Sequence, residues 1–342
     1  MSREAALRAA IPVDVARLME ALQAAGFAAY VVGGAVRDTL AGRTPVDWDL
    51  ATNATPDQLR RAFPDAQYEN RFGTVGIPTA AGVREVTTFR SDGPSSDARR
   101  PDTVTFLAEI EGDLARRDFT VNAMAFGVPA DSHGDALLSA SLVDPFGGAS
   151  DLDAKLLRAV GDPAERFRED ALRMLRAVRF STRFGLTIEP ATAAVIRRDA
   201  ALAATLSGER IGAEIEGLLV APHADRGIHI LHELGLLAAI APHLDAAWSD
   251  DLPRRVVSVD SDPTSRLWAL LTPLSDEDVV KALLTAWRRP RATISATHEA
   301  RRIDEALVRA LADAQHHSAS DLRIDAAKIS GDPRVLFRAA ET

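Results

Sequence analysis

The sequence predicts an α+β protein, with a small mixed sheet and helices over roughly the first 148 residues and all-helical segments after them. Two observations carry this. Short apolar runs bounded by glycine turns, such as "AYVVGG" and "TVGIPTAAGVREVTTF", alternate with helical patterns up to Gly148. Beyond Gly148 the apolar residues recur at intervals of three and four, and the strand texture is lost. A length of 342 residues suggests two or three domains. Their boundaries are expected at 1–148, 149–221 and 222–342.

Taken in order, residues 3–26 read as one helix, with Leu7, Ile11, Val15, Leu18, Met19 and Leu22 at helical spacing. "AAYVVGG" is a short buried strand running into a turn at Gly33 and Gly34. "AVRDTLAG" makes a helix of about two turns, closed by Gly42. "VDWDLAT" (46–52) alternates and reads as a strand. "TPDQLRRAF" starts a helix capped by Thr55, with Pro56 at the first helical position. "TVGIPTAAGVREVTTFR" is a hairpin turning near Ala81-Gly82. "VNAMAFGV" and "SLVDPFGG" are further strands, separated by a polar loop insertion over 128–141. "GDPAERFREDALRMLRAVRFSTRFG" (161–185) is the strongest helix, and "SGERIGAEIEGLLVA" another, capped by Ser207. Residues 222–342 are helical but broken by prolines and polar loops.

Composition narrows the function. With no cysteine, disulfides, thiolate zinc sites and cysteine nucleophiles are excluded. No apolar run approaches the ~18 residues of a membrane span, and "MSREAALRAAIPVDVARLME" lacks a signal peptide's apolar core. A cytoplasmic protein without membrane contact is expected. The net charge of −9 argues against a general polyanion binder. Yet Arg166, Arg168, Arg173, Arg176, Arg179 and Arg183 crowd one stretch, so local nucleic-acid binding stays open.

The chemistry concentrates in "YVVGGAVRDTLAGRTPVDWDLAT" (30–52). In a strand, Asp47 and Asp49 share one face and Trp48 takes the other. Paired carboxylates repel unless a cation sits between them, and Mg²⁺ is commonly held by one or two carboxylates plus substrate phosphates. Gly33 and Gly34 let backbone N–H groups approach a phosphate at a helix start. Arg37 follows about one helical turn later, in reach of the same phosphates.

These residues, GGAVRD (33–38) followed by DWD (47–49), resemble the signature of polymerase-β-type nucleotidyltransferases. More narrowly, they resemble the bacterial tRNA nucleotidyltransferase and poly(A) polymerase family, the class II CCA-adding enzymes. Further matching blocks are "RRPDTVTF" (99–106), "DLARRDFTVNAMAF" (113–126), "LVDPFGGASDL" (142–152), "EDALRMLRAVRF" (169–180) and "GERI" (208–211). The resemblance implies a nucleotidyltransferase head at 1–148, a neck at 149–221 that recognises the base, and a tRNA-binding body and tail at 222–342. It implies addition of C, C and A to tRNA 3′ ends from CTP and ATP, with Mg²⁺ on Asp47 and Asp49. Narrower variants are A-only addition, CC-only addition and poly(A) synthesis; an inactive RNA-binding relative is a further alternative. Oligomeric state is not legible.

In "ARRDFTVNA", Arg116 and Arg117 offer guanidinium forks suited to phosphate, and Asn122 an amide suited to sugar hydroxyls. The resemblance implies that this block, Asp118 included, holds the triphosphate and ribose, with Arg117 the favoured phosphate ligand. Asp170, Arg173, Arg176 and Arg179 are spaced by three and form a ladder on one side of a helix. Asp170 as acceptor beside Arg173 as donor fits the amino-beside-ring-nitrogen edge shared by cytosine and adenine, and not the reversed edge of uracil and guanine. The family's use of protein rather than nucleic acid as template agrees with this. Arg176 and Arg179 would support the base or phosphates. Glu85 is a candidate third carboxylate, and Glu209-Arg210 a brace. "DPFGG" (144–148) reads as a hinge, and "SDARRPDTVTF" (96–106) resembles the family's flexible loop. Candidate RNA-backbone contacts are "AWRRPRATI" (286–294) and Arg301-Arg302. His223, His229, His232 and His243 are expected as surface or core residues.

Overall fold

The computed structural model describes residues 2–68, 72–93 and 103–299. The chain divides into two compact units, Met1–Ala200 and Ala201–Thr342. The opening helix is two helices, α1 (Arg3–Ala10) and α2 (Val13–Ala24), parted at Ile11-Pro12. A residue before proline is driven out of the helical region, and Ile11 is extended at φ −65°, ψ 123°. β1 (Ala29–Val32), α3 (Gly34–Leu40), β2 (Leu50–Thr52) and α4 (Pro56–Ala62) follow. The strand expected over 46–52 pairs as β2 only from Leu50, but its alternation persists upstream: Trp48 is buried while Asp47 and Asp49 are exposed. α4 starts on a capping box, with Thr55 accepting from the Gln58 N–H and Gln58 accepting from the Thr55 N–H.

β3 (Gln67–Tyr68) leads to the expected hairpin, β4 (Thr74–Thr79) and β5 (Gly82–Thr88). β6 (Arg90–Asp92) and β7 (Val104–Phe106) form a separate ribbon; most of the expected flexible loop, 96–102, lies outside the described residues. α5 (Ile110–Ala115) and a 3₁₀ turn over Thr120–Asn122 precede β8 (Ala125–Val128), so "VNAMAFGV" is a strand only in its second half. The polar insertion carries a short helix, α6 (Ala136–Ser139), capped by Asp135, before β9 (Ser141–Val143).

Seven strands make one sheet in the order β3-β4-β5-β2-β1-β8-β9, antiparallel except between β2 and β5. Its two faces bury different residues, as strand alternation requires. Val31, Leu50, Val86 and Phe126 pack with Leu18, Val36, Trp48 and Leu59 on one side. Tyr30, Val32, Ala51 and Ala125 pack with Phe89, Ile110 and Leu114 on the other.

α7 (Gly148–Asp153), β10 (Leu156–Leu157), α8 (Pro163–Glu169), α9 (Leu172–Phe184), β11 (Thr187–Ile188) and α10 (Pro190–Asp199) complete the first unit. The single helix expected over 161–185 is thus broken between α8 and α9. At the break Asp170 is extended, φ −153°, ψ 104°, and its carboxylate accepts the Leu172 N–H at 3.0 Å. A short acidic side chain competes for backbone donors in this way and favours a new helix start. α9 buries Leu172, Met174, Leu175, Ala177 and Val178, and keeps Arg173, Arg176 and Arg179 half-buried.

The second unit is helical in its described part: α11 (Gly208–Leu219), α12 (Ala224–Glu233), α13 (Leu236–Ile240), α14 (Pro242–Ala246), α15 (Leu252–Ser258), α16 (Pro263–Leu271) and α17 (Glu277–Ala286). Ser207 precedes α11 in extended conformation but makes no side-chain cap bond. No helix among the described residues is long and apolar enough to cross a membrane. The division between the units falls inside the segment expected as a neck, because α7 to α10 stay with the sheet. α7 packs on the 3₁₀ turn, and α9 bonds to the segment after α5.

Candidate active site

Antiparallel pairing brings three chain segments to one end of the sheet: the end of β1, the approach to β2 and the approach to β8. The Val32 N–H bonds to the Asp49 carbonyl at 3.1 Å, and the Gly33 N–H to the Met124 carbonyl at 3.0 Å. The glycine turn therefore sits between the acid pair and the 3₁₀ turn. Gly33 has φ +65°, and a Cβ there would lie 2.5 Å from Nη1 of Arg117. Glycine is required on both counts, by conformation and by the guanidinium lodged beneath it.

Trp48 is 6% exposed, within the core. Asp47 and Asp49 point the other way, toward the face that carries α5 and the arginines after it. Neither carboxylate accepts a hydrogen bond or ion pair among the described residues. Loss of solvent around Asp49 pushes its carboxyl up; the Arg117 charge opposes this and the Asp47 charge adds to it. Two like charges close enough to sense each other, open to solvent and without a protein partner, are suited to a hard cation completed by water and phosphate oxygens. No group of three or more His, Asp or Glu side chains among the described residues is arranged to hold a metal. Glu85 is exposed on β5, one residue before the Leu50–Val86 pair, and so stands on the strand next to Asp49.

The arginine block is organised by Asp113, 1% exposed, which the sequence reading passed over. Its Oδ1 accepts from Arg116 Nε at 2.9 Å and Nη2 at 2.8 Å, and its Oδ2 from Arg117 Nη2 at 3.2 Å. The only sequence signal was an acid three and four residues before the two arginines, on α5. Arg117 also reaches the Asn122 carbonyl, 3.4 Å from Nη1.

Other expected ligands are engaged within the protein. Arg37 is 7% exposed; it pairs with Asp38 (Nη2 to Oδ1, 2.7 Å), donates through Nη1 to Asn122 Oδ1, and lies 4.1 Å from the Phe184 ring centroid. Burial lowers its pKa, against the pull of Asp38. Asn122 Nδ2 donates to Asp118 Oδ1 at 2.9 Å. Asp118 Oδ2 accepts from Arg176 at 2.9 and 2.7 Å. Burial pushes the Asp118 carboxyl up, but Arg176 and the Asn122 bond outweigh it and hold it below the usual carboxylate range. Asp170 and Arg173 stand at the first turn of α9 but do not pair. Arg173 bonds instead to Glu169 at 2.7 Å, to the Arg166 carbonyl at 3.2 Å and to the Arg116 carbonyl at 3.0 Å. Arg176 and Arg179 flank Phe180, at 5.0 and 4.9 Å from its ring centroid.

Elsewhere, "DPFGG" is packed rather than open: Asp144 accepts the N–H groups of Gly148 and Ala149, and a Cβ on Gly148 would lie 2.1 Å from the Thr120 carbonyl. Arg289 pairs with Glu216 at 3.0 Å and Trp287 is buried, leaving Arg288 and Arg291 as the exposed arginines of 286–294. Arg301 and Arg302 lie outside the described residues. His232 stacks on Trp248 and bonds to Asp245 at 2.7 Å.

A mixed sheet with a glycine turn, a solvent-facing acid pair and an arginine block at one end defines a nucleotidyltransferase-type head. Residues 29–158 match the model of the poly A polymerase head domain, and 185–248 that of the probable RNA and SrmB-binding site of polymerase A. A CCA-adding enzyme of Geobacillus kaustophilus is 39% identical over 281 residues, covering 81% of this chain and 66% of that protein. One of Lacticaseibacillus paracasei is 40% identical over 292 residues, covering 84% and 69%. The crystal structure of the Bacillus stearothermophilus CCA-adding enzyme in complex with CTP superposes with a TM-score of 0.67 at 33% identity, covering 96% of this chain and 78% of that one. The chain belongs to the CCA-adding enzyme family, whose members generally depend on a divalent metal. It spans about two thirds of the length of the curated relatives it matches, 66% of the first.

Proposed function

We propose that this chain is a CCA tRNA nucleotidyltransferase, adding C, C and A to tRNA 3′ ends from CTP and ATP, in the cytoplasm. The observation that carries the reading is the Asp47–Asp49 pair, without a partner among the described residues, beside the Gly33 turn and the Asp113-anchored arginines. Asp47 and Asp49 would hold Mg²⁺, which when bound polarises the attacking 3′-hydroxyl and offsets charge on the leaving pyrophosphate. The turn at Gly33-Gly34 offers backbone donors to the triphosphate, and Arg117 with Arg116 offers guanidinium forks. Asp170 supplies an acceptor and Arg173 a donor for the base edge, with Glu169 and the Arg116 carbonyl fixing the Arg173 fork. Arg176 and Arg179 line the same side of α9. In this reading 1–148 is the catalytic head, 149–221 the base-recognising neck, and 222–342 the part that grips tRNA.

The test uses three RNAs: tRNA ending in the discriminator base, tRNA ending in CC, and an unrelated RNA. Each is given CTP alone, ATP alone, or both. The proposal expects two additions from CTP on the first RNA, one from ATP on the second, and three from both nucleotides on the first. A product restricted to the second RNA marks an A-adding enzyme, one that stops after CC a CC-adding enzyme, and long A tails on unrelated RNA a poly(A) polymerase. No incorporation on any RNA removes the proposal.

A further inference from the structure

The side chains of Asp38, Arg37, Asn122, Asp118 and Arg176 form one hydrogen-bonded chain that runs from α3, just behind the glycine turn, through the 3₁₀ turn, to the middle of α9. Every carboxylate oxygen of Asp118 is used: Oδ1 by the Phe119 N–H and Asn122 Nδ2, both at 2.9 Å, and Oδ2 by Arg176. Both ends of the Asn122 amide are used as well, and they are not interchangeable. A flipped amide would set NH₂ against a guanidinium and C=O against a carboxylate, so its neighbours fix its orientation. Asn122 and Arg37 are each 7% exposed, and Asp118 9%. Arg37 is further pinned by the Phe184 ring, which belongs to α9.

We infer that Asn122 is a positioning residue for base choice: it sets the register between the phosphate-side helix α3 and the base-side helix α9. The inference rests on the nucleotidyl-transfer reading and departs from it at one residue, since the Asn122 amide is 7% exposed and its orientation is set by Arg37 and Asp118 rather than by a sugar. α9 bonds to the segment after α5 through Arg176 to Asp118 and Arg173 to the Arg116 carbonyl, and its Phe180 ring packs edge-on against Phe119. Of these, only the Asp118 tie continues through Asn122 to α3. Losing it removes the hydrogen-bonded link from α3 to α9 and leaves ring contacts, Arg37 over Phe184 and Phe119 against Phe180, which tolerate a shift of a fraction of an ångström. That is enough to misalign an acceptor–donor pair whose selectivity depends on which atom faces which.

The test is equilibrium dialysis of CTP, UTP and 2′-deoxy-CTP against the full chain with Mg²⁺, for the parent, Asn122→Leu and Arg37→Lys. The inference expects the CTP-over-UTP preference of the parent to fall about tenfold in Asn122→Leu, with the ribose-over-deoxyribose preference held within about twofold. Arg37→Lys keeps the charge and loses the fork. As the next member of the same hydrogen-bonded chain, it should reproduce the same loss, and it serves where Asn122→Leu does not fold. A collapse of the sugar preference with base preference intact makes Asn122 a sugar contact and overturns the inference. So does an unchanged pair of ratios, or equal weakening of all three nucleotides. A parent that binds none of the nucleotides ends the proposed function itself, a result distinct from a discriminating parent with unaltered variants.

Discussion

At the end of β1 and the approach to β2, the protein sets two exposed carboxylates with no partner among the described residues; along α9 it gives Arg173 and Arg176 acceptors from segments more than fifty residues away. The difference is one of supply. Asp47 and Asp49 sit on one face of an extended strand whose other face is filled by Trp48, and no cation among the described residues bonds to them. Arg117 is bonded to Asp113 and acts on Asp49 through its charge. The arginines of α9 face carbonyls, Glu169 and Asp118, and the ordered chain behind them is nearly complete. One region leaves its charge uncompensated among the described residues, and the other holds its charge in a fixed place.

The most severe way to break this contrast is to remove the receiving pair. Asp47→Ala with Asp49→Ala should lower nucleotide incorporation by at least about a thousandfold. RNA binding in a gel-shift assay should persist, and the midpoint of thermal unfolding should hold or rise slightly as like-charge repulsion is relieved. Incorporation equal to the parent's would remove the metal assignment.

On the other side, Asp118→Asn should destabilise the fold by about 1–3 kcal/mol, because it weakens the charge-assisted bonds from half-buried Arg176 to a buried acceptor. The pH dependence has a definite sign. The folded-state pKa of Asp118 is depressed, so its contribution is fully present above the ordinary carboxylate range and is lost as pH falls through the lower folded value. Denaturant titrations should show a parent-minus-variant gap that is flat from about pH 8 to 5 and shrinks below about pH 4. A gap that instead closes on raising the pH toward 8 would contradict the ion pair.

Gly33→Ala tests the point where the two regions meet. Its methyl group would collide with the Arg117 guanidinium at a positive φ, at a cost of roughly 1–3 kcal/mol. Nucleotide affinity should fall with it, as measured by dialysis. Unchanged affinity would dissociate the turn from the phosphates.

The mildest change is Asp170→Ala. Loss of its bond to the Leu172 N–H should cost about 1 kcal/mol of stability. The informative readout is base choice: misincorporation of UMP and GMP onto tRNA should rise. Unaltered selectivity would remove Asp170 from base reading.

What the sequence alone determined is what short-range physics controls. Strand alternation placed Asp47 and Asp49 opposite Trp48, the Thr55–Gln58 box started α4, and the Gly33-Gly34 turn followed from an apolar run meeting two residues without side chains. The same local rules misjudged helices where a single residue competes with the backbone, at Pro12 and at Asp170. Only the tertiary structure decided which charge meets which. Arg37 and Asn122 are 85 residues apart, and Asp118 and Arg176 are 58. Asp113 became the anchor of two arginines only once α5 was packed and buried it. Spacing along a chain names the groups that can pair, but a guanidinium has many acceptors within reach. The choice among them is made by burial, which penalises every donor and charge left over.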